Sequence, residues 1–168
     1  APPSKSHSLR AILFATMARG ESRIENTLPS PDITAMVSAC RVLGADIYEE
    51  GTTLIIKGIA GVPKVSSGII ECGNSGQVLR FIPSLIALTD TCVEITGDES
   101  IRQFRPVRPL MDGLAQFGAT CVSLEKKGHA PFMVKGPISA NNIEIDGEDS
   151  QPVSALLMAA AFMEGTSE

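Results

Sequence analysis

A chain of 168 residues that is 43% hydrophobic and only 20% charged is too apolar for a disordered protein and long enough to bury one sizeable core. Its formal net charge of −5 argues against a nucleic-acid partner. Any anion-binding site must therefore be a local cluster of positive groups on an acidic background.

The opening stretch, Ala1–Ser8, is rich in proline and serine and is expected to be irregular, with Ser8 capping a helix from Leu9 to about Arg19. That helix is apolar nearly all round, so burial on most sides is expected. Arg23–Asn26 reads as a strand. Ser30 followed by Pro31 is a helix-entry signal, and the amphipathic helix it opens carries Ile33, Val37, Cys40 and Leu43 before Gly44 stops it. Asp46–Tyr48 and Thr53–Lys57 form a hairpin turning near Gly51. The order then repeats: a strand at Ile69–Glu71, a loop at Gly73–Gln77 and an apolar helix at Leu79–Leu88. A strand at Val93–Thr96 follows, then an amphipathic helix with Leu110, Met111, Leu114 and Phe117, and a hairpin of Thr120–Leu124 with Phe132–Lys135. A third round opens with a strand at Ile143–Ile145, a loop at Gly147–Pro152 and an apolar helix at Val153–Met163.

Two echoes support the repeat. Leu43-Gly44-Ala45-Asp46 returns as Phe117-Gly118-Ala119-Thr120, and Arg19-Gly20-Glu21-Ser22 returns as Glu164-Gly165-Thr166-Ser167. The expected architecture is α/β: pseudo-symmetric β-α-β-α-β-β units of roughly 72 residues, with buried helices and outer sheets in a barrel-like, inside-out arrangement. The units run about 1–64, 65–138 and 139–168, the last cut short, so the chain reads as part of a longer protein. Apolar runs such as Val153–Met163 are too short to cross a membrane, and residues 1–20 lack the order of a signal peptide. Cys40, Cys72, Cys92 and Cys121 are widely spaced, with only His7 and His129 beside them. Neither zinc nor another metal is expected, and buried free thiols in a reducing compartment are.

The repeat brings three loops to equivalent places: Ser4–Ser8, Gly73–Gln77 and Gly147–Ser154. Each precedes a helix, whose N-terminus carries partial positive charge and free N–H groups. Lys5, Arg10 and Arg80 add cations, so several such ends would suit a multiply charged small molecule. Arg105, stiffened by Pro106, suits bidentate capture of a carboxylate or phosphate. Arg102 and Arg108 read as solvated surface charges, His7 as a solvated loop residue within reach of a ligand, and Asp32 is accounted for by the dipole of its own helix.

These motifs resemble the 5-enolpyruvylshikimate-3-phosphate synthase family. Its opening Lys-Ser-x-Ser-x-Arg matches Lys5–Arg10, its Gly-Asn-(Ala/Ser)-Gly-x-x-x-Arg matches Gly73–Arg80, its Arg-Pro matches Arg105-Pro106 and its Ser-Gln matches Ser150-Gln151. The resemblance implies two similar domains of three such units each, of which this chain is most of one. It further implies a cytoplasmic, monomeric transferase without cofactor. The enolpyruvyl group of phosphoenolpyruvate would pass to the 5-hydroxyl of shikimate 3-phosphate in the shikimate pathway, with acid–base carboxylates in the second domain. By position, Lys5 would touch both ligands and serve in proton transfer. Ser6, Arg10, Ser150 and Gln151 would hold shikimate 3-phosphate. Asn74, Gly76, Arg80 and Arg105 would line the phosphoenolpyruvate side, where glyphosate also binds. Gln77, Asp149 and Phe81 depart from the family's threonine, serine and proline, and Asp149, a carboxylate where phosphate is expected, is left out of the site. The rival readings are the sister transferase acting on UDP-N-acetylglucosamine, which has Lys-Asn where this chain has Lys5-Ser6, and a substrate-binding half-domain without turnover.

Overall fold

The computed structural model describes residues 2–66 and 68–168; Ala1 and Ser67 lie outside the described residues. Helix α1 (Lys5–Met17) leads into strand β1 (Glu21–Ile24), helix α2 (Pro31–Val42) and the hairpin β2 (Asp46–Glu50) and β3 (Thr53–Lys57). Strand β4 (Ile69–Glu71) precedes helix α3 (Gly76–Ile86), strand β5 (Val93–Thr96), the short helix α4 (Glu99–Phe104) and helix α5 (Arg108–Gln116). The hairpin β6 (Thr120–Ser123) and β7 (Phe132–Lys135) and helix α6 (Ser150–Ala160) complete the order.

The two sheets repeat one plan. The first is ordered β1-β3-β2 and antiparallel throughout. The second, β4-β5-β7-β6, has the same antiparallel core with β4 added in parallel to β5. Neither sheet closes into a barrel. Strand burial alternates: Leu54 and Ile56 of β3, and Phe132 and Val134 of β7, point into the core. Tyr48 and Val122 lie exposed. Each sheet thus offers one face to the helices, which α1 packs onto through β3 and α3 through β7.

Helix α3 is the centre. Every residue from Val78 to Ile86 is buried, because the helix packs between α2 and α6 and over the second sheet. The other two apolar helices are less enclosed than their composition implies: Phe14 on α1 is 54% exposed and Leu157 on α6 is 67% exposed. A helix end is set by its cap, and this shifts one boundary that matters. Ser4, not Ser8, caps α1, its Oγ accepting the His7 N–H at 3.5 Å, so Lys5–Arg10 forms the first turns of the helix and not a loop.

Helices α3 and α6 likewise start at Gly76 and Ser150 rather than Leu79 and Val153, and Cys92 is exposed rather than buried. Three further expectations need correction. Strand β1 ends at Ile24, because Asn26 adopts a left-handed φ of 57°. The short α4, capped by Asp98, was not expected. Residues 143–145 form no strand: the backbone bond found there is Ile143 N–H to the Glu168 carbonyl at 2.8 Å, and a ladder needs more than one.

Candidate anion site at the N-termini of α1, α3 and α6

The loop before α3 is held from two sides. Gly73 takes φ 56°, and the Ser75 N–H returns to the Cys72 carbonyl at 2.9 Å. Ser75, almost wholly buried, caps α3 through its Oγ, which accepts the Val78 N–H. From the other side the Asp98 N–H donates to the Gly73 carbonyl, and the Asn74 amide donates to Asp98 Oδ2 at 2.7 Å. Asp98 Oδ1 accepts the Ile101 N–H. That backbone bond first, and the Asn74 amide second, hold the Asp98 carboxyl below the usual carboxylate range. Asn74 thus serves as a brace for the loop.

Arg80 follows one turn later with its side chain only 7% exposed. Its guanidinium donates from Nη1 to the Gly76 carbonyl at 3.3 Å and from Nη2 to the Pro106 carbonyl at 3.1 Å. Its Nε lies 3.3 Å from Asp149 Oδ2, an ion pair too misaligned to count as a hydrogen bond, so the Nε–H has no hydrogen-bond acceptor. Burial pushes the Arg80 pKa down; the Asp149 carboxylate opposes that, and neighbouring Arg105 adds to it. A cation kept this dry beside a second cation is suited to an anion.

These groups converge beside Gly76. A methyl built on Gly76 would lie 3.2 Å from Arg80 Nη1, 3.8 Å from Gln151 Oε1 and 4.0 Å from Arg105 Nη1. A side chain at position 76 would therefore press on the Arg80 guanidinium. Arg105 is exposed, on the extended segment between α4 and α5. Arg102 and Arg108 instead pair with Glu125 and Asp112 on the surface, as expected of solvated charges.

Helix α1 forms the adjoining wall. Ser6 and Arg10, one turn apart, hydrogen-bond through Oγ and Nη1, and the Arg10 guanidinium stacks 5.1 Å above the Phe81 ring of α3. Gln77 joins the walls, its amide donating to Ser6 Oγ at 3.1 Å. Lys5 Nζ sits 3.2 Å from Asp32 on the first turn of α2, a pair with Lys5 more than half exposed. At α6, Asp149 is the cap: its Oδ1 accepts the Gln151 N–H at 3.0 Å while Oδ2 faces Arg80. Ser150 is exposed at the start of the helix.

Three buried side-chain atoms without a hydrogen-bond partner belong to this cluster: Arg80 Nε, Gln77 Oε1 and Gln151 Oε1. Unsatisfied buried polar atoms are rare in folded proteins; the Arg80 Nε–H is a donor that suits an anion, whereas the two amide oxygens are acceptors. The comparisons with known proteins agree on what kind of chain carries it. The family model for EPSP synthase (3-phosphoshikimate 1-carboxyvinyltransferase) matches residues 1–168. The chain belongs to the EPSP synthase family.

A 3-phosphoshikimate 1-carboxyvinyltransferase of Chlamydia caviae is 45% identical over 164 residues, covering 98% of this chain and 36% of that protein. Another, of Acetivibrio thermocellus, is 42% identical over 157 residues, covering 94% of this chain and 37% of that protein. In three dimensions the EPSP synthase from Acinetobacter baumannii superposes with a TM-score of 0.88 at 26% identity, over 98% of this chain and 38% of that one. The chain spans a little over a third of the length of these relatives.

Within this EPSP synthase family chain, part of the residues expected from sequence come together, while Lys5 and Asn74 contact other partners and Ser150 stands exposed. Gly76, Arg80, Arg105 and Gln151 meet at a point; Ser6 and Arg10 reach α3 through Gln77 and Phe81; Asn74 and Lys5 are tied by acidic partners at the edges. Sequence reasoning missed the neighbours that hold them. Asp149 carried a signal, as an N-cap residue ahead of Ser150-Gln151-Pro152. Asp98 carried the same cap signal ahead of Ile101, whereas the partners that Asp32 and Phe81 meet are distant in sequence.

Proposed function

We propose that this chain is one wall of an enolpyruvyl transferase site, acting in the shikimate pathway on phosphoenolpyruvate and shikimate 3-phosphate. On this reading it forms most of one of two similar domains, with repeat units of about 1–64, 65–138 and 139–168. The second domain closes the cleft and brings the acid–base carboxylates. The working protein is a cytoplasmic monomer that needs no metal or cofactor. The observation that carries the reading is the dry Arg80 guanidinium, with its unbonded Nε–H, converging with Arg105 and Gln151 on the space beside Gly76.

The chemistry asks for what this wall offers. The 5-hydroxyl of shikimate 3-phosphate adds to the central enol carbon of phosphoenolpyruvate while the methylene takes a proton. The tetrahedral intermediate then loses a proton and phosphate to restore the enol ether. Two phosphates and a carboxylate must be held together, which demands fixed donors and cations. Arg80, Arg105 and the α3 N-terminus, with Asn74 bracing the loop, take the phosphoenolpyruvate side. Ser6, Arg10, Ser150 and Gln151 take the shikimate 3-phosphate side. Lys5 lies where α1 opens toward both and serves in proton transfer, exchanging Asp32 for substrate. Glyphosate would use the same space, and a side chain at position 76 would enter it.

In the full-length enzyme containing this chain, Arg80→Ala and Lys5→Ala should each lower kcat/KM about 10²-fold or more. Unchanged activity in both would overturn the assignment. For residues 1–168 alone, calorimetry with shikimate 3-phosphate should show binding without product, as expected of a half-site. No heat at millimolar ligand would contradict the role given to Ser6, Arg10, Ser150 and Gln151.

A further inference from the structure

Asp149 is a carboxylate in a place that otherwise collects groups for an anion. Its two oxygens do different work. Oδ1 caps α6 by accepting the Gln151 N–H at 3.0 Å, and Oδ2 lies 3.3 Å from Arg80 Nε. Any residue with a cap oxygen would do the first job, Asn and Ser as well as Asp. Only the charge does the second. The side chain of Asp149 is nearly half exposed, whereas that of Arg80 is more than nine-tenths buried and its Nε–H is left without a hydrogen bond. A half-exposed carboxylate therefore lies against a buried guanidinium at an angle that leaves the donor unsatisfied. Beside it, Gln151 Oε1 is buried and unbonded, and Arg105 Nη1 faces the same space.

We propose that Asp149 is an internal counter-ion of the anion site, which an incoming anion has to displace from Arg80. Without ligand it neutralises part of the charge of the paired arginines and of the α6 N-terminus, which stabilises two like charges kept close together. When an anion arrives, the better-aligned acceptor takes the Arg80 Nε–H, and Asp149 turns toward solvent while Oδ1 keeps its cap. The carboxylate thereby lowers the affinity of the site for simple anions. Only a ligand that also engages Arg105 and the α3 N-terminus makes enough contacts to offset the exchange. Asp149 is in this sense a specificity-determining residue. The inference rests on reading the Gly76–Arg80–Arg105 cluster as an anion site, and deepens that reading.

The test compares the 168-residue chain with Asp149→Asn and Asp149→Ser, both of which retain a capping oxygen, using inorganic phosphate as the probe. Binding is followed by the NMR signal of the Arg80 Nε–H, with thermal unfolding of each variant run alongside. Both variants should bind phosphate about five- to tenfold more tightly than the parent, and the free variants should already show the Arg80 signal shifted by loss of the carboxylate. Equal or weaker phosphate affinity in both variants, with folding intact, overturns the counter-ion role and leaves the anion site standing. No phosphate-dependent shift of Arg80 in any of the three proteins overturns the anion site and the proposal together.

Discussion

The two walls of the site are built in opposite ways. On the α1 side, Lys5 and Arg10 are on the outer turns of a helix, and each has settled on a local partner: Asp32 for Lys5, Ser6 and the Phe81 face for Arg10. On the α3 side, Arg80 is buried, fixed by two backbone carbonyls and left with a donor to spare. An exposed side chain such as that of Lys5 loses entropy when a ligand orders it, whereas buried Arg80 has lost it already during folding. The α3 wall is thus preorganised, and the α1 wall adapts. Preorganised donors aimed at developing charge contribute most to transition-state stabilisation. Adaptable ones suit capture and release.

The largest expected effect comes from cutting the rigid wall. Arg80→Ala strips the partner from the Gly76 and Pro106 carbonyls and from Asp149, and should cost about 2–4 kcal/mol in urea unfolding. The matching cut on the other wall, Lys5→Ala, removes an exposed pair and should cost less than about 1 kcal/mol. Equal losses would erase the distinction between the walls.

Much of the rigid wall was legible in the sequence, because its signals are local. Glycines at Gly73 and Gly76 and the apolar run behind them specify a loop and a buried helix without reference to the rest of the chain, although the helix begins at Gly76 under the Ser75 cap rather than at Leu79. The stiff Arg105-Pro106 segment was equally readable. The α1 wall was misread as a loop because Ser4 and Ser8 are both good caps and nothing nearby decides between them. The strand expected at 143–145 failed for a different reason: apolar alternation describes a residue's preference, while a strand exists only where a neighbour supplies the ladder. Asp149 was judged by its charge against an expected phosphate. That judgement omitted Arg80, 69 residues away in sequence and 3.3 Å away in space.

Between the walls stands Gln77, whose amide donates to Ser6 Oγ. Gln77→Ala should lower stability by only about 1 kcal/mol, since it removes one hydrogen bond. It should nevertheless increase hydrogen exchange in the first turns of α1 while leaving α3 protected. Loosening of α3 instead would place the rigidity elsewhere.

The smallest effect concerns the brace beneath the loop. The folded Asp98 carboxyl is held below the usual range by the Ile101 N–H and the Asn74 amide. An unfolded Asp takes up its proton near pH 4, by order of magnitude, before the folded one does. The stabilising contribution is therefore complete above that pH and is lost as the pH falls through the lower folded value. Asp98→Asn retains a capping oxygen and should flatten this acid limb in urea titrations. An unaltered pH profile would show that the brace is not electrostatic.

The claim at the centre is that anions bind beside Gly76, on Arg80 and Arg105. It is tested most directly by following the arginine Nε–H signals of the 168-residue chain during titration with phosphoenolpyruvate in the presence of shikimate 3-phosphate. The account predicts saturable shifts at Arg80 and Arg105, with Arg23, Arg41 and Arg102 unmoved in their surface pairs. Shifts spread evenly over the surface arginines, or none at Arg80, would contradict it.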